Sequence, residues 1–181
     1  MSTLKVNNLT DLGADAVVTD GVIDSGALPT GSILQVVSTT KTDTFTMSSA
    51  TYADVTGLSA SITPSSTSSK IFVLLNTWGD TNTADIGMLR LMRDATPIGV
   101  GDSEGSRVAA SVSFSTFAGS NDPTSASASV LDSPNTTSTI TYKAQIRLAS
   151  GTAYINRYHS DINSAVAPRT ASSITLMEVA G

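Results

Sequence analysis

The chain has 181 residues, 40% of them hydrophobic and only 14% charged, with a net charge of −5 and no cysteine. That composition excludes disulfides and thiolate metal sites. It also argues against a nucleic-acid binder held by phosphate contacts, which needs a basic face. One domain, or one domain plus an arm, fits the length and allows a real core. Low charge leaves much of the surface uncharged, as is common in multi-subunit assemblies, and without disulfides oligomerisation is the usual staple for a small exposed particle.

The longest strongly apolar run is five residues, too short for a membrane-spanning helix, so no membrane partner is expected. The opening Met-Ser-Thr-Leu-Lys-Val-Asn-Asn lacks the layout of a signal peptide, which leads to an expectation of synthesis and assembly in a cytoplasm.

Residues 1–30 scatter apolar side chains among Asn, Asp, Gly and Thr with no clean period, and Gly13, Gly21, Gly26 and Pro29 break any helix. A solvated tail is usually poorer in apolar residues. The segment therefore reads as an extended arm that lies on a neighbouring subunit, with Leu4, Val6, Leu9, Leu12, Val17, Val22 and Ile23 as its anchoring side chains.

From Gly31 onward the pattern predicts short strands. They are Ser32–Thr39, Thr44–Met47, Tyr52–Thr56, Leu58–Thr63, Ile71–Leu75, Ile86–Arg93, Ile98–Gly101, Arg107–Phe117, Ala126–Leu131, Thr139–Leu148, Thr152–Tyr158 and Ser172–Val179. Leu58, Ala60 and Ile62 alternate with Ser59, Ser61 and Thr63, the period of a half-wet strand. Ile140, Tyr142, Ala144, Ile146 and Leu148 share one face of the cleanest strand. Within Arg107–Phe117, Val108, Ala110, Val112 and Phe114 face one way. Pro64 ends the ladder before Ile71, Phe72, Val73, Leu74 and Leu75, a run apolar on both faces. One face of that run must meet an opposing sheet. The other must meet a loop, the arm or another copy, so the five residues are candidates for core or subunit interface. With no helix-period segment, no repeat and no heptads, the expectation is an all-β fold, an antiparallel β-sandwich of jelly-roll type over 31–181.

Candidates for chemistry are sparse. His159 is the only histidine, in Tyr-His-Ser-Asp161, and no Gly-x-Ser-x-Gly elbow accompanies it. A loop histidine is the plain reading. Asp80, Asn82 and Asp85, with Asp102 and Glu104, offer oxygen ligands, but their order is not that of a calcium loop. Arg90, Arg93 and Arg107 suggest a basic patch for an acidic partner or, more simply, cross-strand ion pairs. Gly99-Val-Gly101 is too short for a phosphate loop. Tyr142, Tyr154 and Tyr158 suit either ordinary strand positions or a sugar-stacking groove. No catalytic residue, metal or cofactor is assigned.

Several pieces resemble a known class. Met1-Ser-Thr-Leu-Lys-Val-Asn-Asn8 is similar to the N-termini of virion structural and tail-fibre-like proteins of marine tailed bacteriophages. Gly31-Ser-Ile-Leu-Gln-Val-Val, Asp54-Val-Thr-Gly-Leu58, Ile62-Thr-Pro-Ser-Ser-Thr-Ser-Ser-Lys70, Leu131-Asp-Ser-Pro134, Thr141-Tyr-Lys143 and Ser173-Ile-Thr-Leu-Met-Glu-Val-Ala180 resemble a module of such proteins. The resemblance implies a virion location and a non-enzymatic role. The expected protein is a homotrimeric capsid decoration or cement protein, or head fibre, anchored by its arm to virion proteins such as the major capsid protein. A tail-fibre or tip protein, or a carbohydrate-binding module for a host-surface glycan, is the alternative.

Overall fold

The strand that begins at the five-residue apolar run is the longest in the molecule. The computed structural model describes residues 8–10, 16–19, 22–23, 28–83, 85–115 and 123–181. Three short strands, β1 (Asn8–Thr10), β2 (Ala16–Thr19) and β3 (Val22–Ile23), form an antiparallel sheet of their own in the order β1-β2-β3. Eleven more follow: β4 (Ile33–Lys41), β5 (Phe45–Met47), β6 (Ala53–Ile62), β7 (Lys70–Thr81), β8 (Ile86–Arg93), β9 (Thr96–Ile98), β10 (Val112–Ser115), β11 (Thr124–Asp132), β12 (Ile140–Arg147), β13 (Ala153–Ile155) and β14 (Ser172–Val179). Among the described residues there is no helix.

These eleven strands build a β-sandwich of two antiparallel sheets. In one, β7 pairs with β11 along one edge. Its other edge is shared end to end: β14 takes Lys70–Asn76 and β13 takes Gly79–Thr81. Beyond them, β4 pairs with β14 and β5 with β13. The second sheet runs β10-β8-β12-β6, with β9 sharing the β8 edge beside β10.

Alternation explains the core. Leu58 and Ile62 of β6, Ile140, Tyr142 and Ile146 of β12, and Ile174 and Leu176 of β14 are all buried between the sheets. Ile71, Val73 and Leu75 of β7 join them. Facing β7 and β8 the space is filled from the side. Gly79 and Gly87 lack side chains, and the Phe114 ring takes their place; a Cβ at either glycine would lie 2.3 or 2.5 Å from the ring's Cζ.

The structure corrects several expected elements. Tyr52–Thr56 and Leu58–Thr63 are one strand, β6, with a bulge rather than a break. Its register against β12 slips between Ser59 and Asp54, and Gly57 supplies the φ of +81° that the bulge needs. β7 runs on through Asp80 and Thr81, which the sequence places in a polar loop. Of the strand expected at 107–117, residues 107–111 are not strand, Val112–Ser115 are, and 116–117 lie outside the described residues; Val108 is exposed in the loop before it.

Leu75→Ala removes a wholly buried side chain from β7, so urea denaturation is expected to show a loss of about 2–5 kcal/mol. Gly79→Ala is expected to cost about 1–3 kcal/mol, because Phe114 must move off its position. Leu74→Ala, on the outer face of the same strand, serves as the comparison and should cost much less in the isolated chain.

Candidate assembly surface

The buried polar groups act as fasteners between segments distant in sequence. Glu178 lies on the inner face of β14 with no exposed surface. Its carboxylate accepts the Ser65 backbone N–H at 2.7 Å, the Ser65 hydroxyl at 2.6 Å and the Gln35 amide at 2.5 Å. This ties the Pro/Ser turn before β7 to the β4–β14 pair. Burial pushes the Glu178 pKa upward, but the hydrogen bonds from Ser65 and Gln35 outweigh it and hold the group below its ordinary value. At another edge Arg93 Nη1 donates to both oxygens of Asp132, at 2.9 and 2.8 Å. The Tyr142 hydroxyl donates to the same carboxylate at 2.7 Å. Burial first, and that bond second, raise the Tyr142 pKa.

Asn156 bridges the gap where β13 hands the β7 edge to β14. Its amide donates to the carbonyls of Lys41 and Asp43, at 2.8 and 3.0 Å, and its oxygen accepts the Ser172 hydroxyl at 2.6 Å. Its φ of +63° starts the loop over residues 156–171. That loop covers one end of the outer face of the β7 sheet. There the wholly buried Asp80 accepts the His159 backbone N–H at 2.8 Å, and its Oδ2 lies 2.9 Å from His159 Nδ1. The Arg157 guanidinium stacks 4.2 Å from the Tyr154 ring centroid.

The opposite end of this outer face is bare and apolar. Register places Val36 of β4 across from Met177 of β14, Met177 across from Phe72 of β7, and Phe72 across from Leu131 of β11. Four strands thus contribute one apolar residue each to a single row. Val36 is 57% exposed, Leu131 50% and Leu74, one step along, 38%. Ile33, opposite Val179 past a bulge, is 56% exposed. The next rows turn polar, with Ser38, Thr175 and Ser129 beside Leu74, then Thr40, Ser173, Asn76 and Ser127. The patch adjoins the point where residues before Gly31 enter the sandwich: Gly31 N–H donates to the Ala180 carbonyl at 2.8 Å, and Ala180 N–H to Ser32 at 2.8 Å. A contiguous apolar patch with a polar border is the signature of a surface that meets another protein.

The sequence-derived candidates therefore divide. Ile71, Val73 and Leu75 are core, while Phe72 and Leu74 belong to the outer patch. Leu9 falls in β1, Val17 in β2, and Val22 and Ile23 in β3; Leu4, Val6 and Leu12 lie outside the described residues. Tyr142 is wholly buried and lines no groove. Asn82 and Asp85 are engaged by backbone donors, Asn82 Oδ1 by Thr152 N–H at 2.8 Å and Asp85 by Ile86 N–H at 2.7 Å and by Ser150 N–H. The sequence reading missed Val36, Leu131 and Met177, which come together only through strand register. No protein-family model matches the chain, and no curated protein is significantly similar to it.

Glu178→Gln should lower stability near pH 7 by about 1–3 kcal/mol, since an amide donor then faces Ser65 and Gln35. Because the folded pKa of Glu178 is depressed, its contribution is full above about 4.3, the ordinary glutamate value, and is lost as pH falls through the folded value. Denaturation midpoints measured from pH 7 down to pH 3 should fall more steeply in the parent chain than in the variant. Parallel curves would remove Glu178 as the source.

Proposed function

We propose that this chain is a non-enzymatic structural subunit of a tailed-bacteriophage virion, a homotrimeric capsid decoration or head-fibre protein of jelly-roll type. The observation that carries the assembly part is the apolar row Val36, Met177, Phe72 and Leu131 with Leu74 beside it. It leaves apolar surface in water unless another copy or another virion protein covers it. The placement on a virion rests on the resemblance of Met1–Asn8 and of the sandwich segments to phage virion proteins.

The strand order supports the jelly-roll reading. Count β4 with β5, β9 with β10, and β13 with β14 as one strand each. The eight strands then lie 1-8-3-6 in one sheet and 2-7-4-5 in the other, with every connection crossing between sheets except that between the fourth and fifth. Jelly rolls of this kind recur in capsid and lectin domains. Residues 28–30 lead into the sandwich beside the apolar patch, and the N-terminal residues 1–30, with Leu4, Val6, Leu9 and Leu12 among them, are proposed to anchor the subunit on a capsid protein.

Light scattering on the full chain is expected to give about three times 18.5 kDa, and Val36→Asp with Leu131→Asp should dissociate it while the circular dichroism spectrum stays unchanged. A stable 18.5 kDa monomer would sink the assembly reading. Electron microscopy of labelled particles tests the location: copies confined to tails exclude decoration.

A further inference from the structure

The outer face of the second sheet differs in kind from the apolar patch. It carries Arg90 on β8, and Lys143, Gln145 and Arg147 on β12, beside Asp54 on β6. Asp54 accepts Lys143 Nζ at 2.8 Å and the Gln145 amide at 2.6 Å. Gln145 Oε1 in turn accepts Arg90 Nε and Nη2, at 2.9 and 2.7 Å. Arg90 is thus held by a neutral amide, not by a carboxylate. Its guanidinium stacks 4.0 Å from the Tyr52 ring centroid, and that of Arg147 lies 6.0 Å from the same centroid. Tyr52 is fixed there by a 2.9 Å bond from its hydroxyl to the Ala109 carbonyl.

Among the described residues neither Arg90 nor Arg147 has an acidic partner. Among the described residues the buried Arg147 Nε has no acceptor. An uncompensated guanidinium is costly, and two beside one ring are unusual on a chain of net charge −5. Lys41, Arg93, Lys143, Arg157 and Arg169 each meet an aspartate, while Lys70 and Arg107 share with Arg90 and Arg147 the lack of an ion pair among the described residues. Around the pair the face is mixed: Met88 lies across from Arg147, Ile86 beyond it is exposed, and hydroxyls flank them. Ser61 and Thr141 sit 2.8 Å apart, and Ser59 and Ser113 are exposed. Hydroxyls and an amide beside two guanidinium groups suit a sugar acid.

We propose that Arg90 and Arg147, positioned by Tyr52 and Gln145, bind the carboxylate groups of an acidic polysaccharide. The ligand lies on the outer face of β8 and β12, away from the apolar patch, so the site is open in a monomer and in an assembly built through the other sheet.

Affinity electrophoresis of the full chain in low salt, through gels containing alginate or neutral dextran, tests this. Alginate is expected to retard the protein and dextran to leave it unretarded. Arg147→Gln and Arg90→Gln should each weaken retardation about tenfold, the loss of one charge-assisted contact. Lys70→Gln, the same charge change on the other sheet, should leave it unchanged. The Arg147 Nε has no acceptor to lose, so the thermal unfolding midpoint of Arg147→Gln should stay close to that of the parent, and any lost retardation then reports the site. Equal retardation by dextran, none by alginate, or an equal loss in Lys70→Gln overturns the proposal. Equal retardation by polyglutamate at matched carboxylate concentration overturns the sugar assignment in favour of an acidic peptide. A monomer by light scattering would defeat the assembly reading and leave this one standing.

Discussion

A strand that is apolar on both faces needs cover on both, and β7 imposes that requirement on the rest of the sandwich. Its inner face, Ile71, Val73 and Leu75, meets the second sheet and disappears from solvent. Both of its edges are filled, by β11 on one side and by β14 and β13 in succession on the other. Only the outer side chains stay open, and there the two ends are treated differently. The loop over 156–171 seals the end that carries Asp80, while Phe72 and Leu74 remain uncovered at the other. The apolar patch is thus the unfinished half of a surface whose other half the chain completes for itself.

The polar interior follows the same logic. Glu178, Asp80 and Asn156 are not exposed reactive groups but joints between segments, each with an oxygen engaged by a donor from a distant part of the chain. A buried carboxylate with several donors is stable when charged, because the bonds replace lost hydration. The guanidinium pair beside Tyr52 breaks this pattern, and a group that departs from a molecule's own habit is where function is best sought.

Local alternation made most of the architecture legible. Thr139–Leu148 and Ser172–Val179 announce their buried faces residue by residue, and Leu58, Ala60 and Ile62 do the same. The run Ile71–Leu75, apolar on both faces, alternates between the core and the outer face of its sheet. What failed locally depended on distant residues. Asp80 and Thr81 read as loop because nothing nearby shows that His159 will bury them. Nothing local marks Glu178 as buried, because its donors, Ser65 and Gln35, are 113 and 143 residues away. The apolar row was invisible for the same reason, since its four members come from four strands and only the sheet register aligns them.

The pairing of β4 with β14 also sets an order of events during synthesis. β4 is among the first strands of the sandwich to be made, yet its ladder partner is the last. Until β14 arrives, β4 has no neighbour on that side, and β7 holds one edge open along Lys70–Asn76. Contacts of such long sequence separation form slowly, and open apolar edges invite pairing between chains. β14 must therefore leave the ribosome before this sheet closes, and crowded nascent chains pass through a window in which each can complete another's sheet.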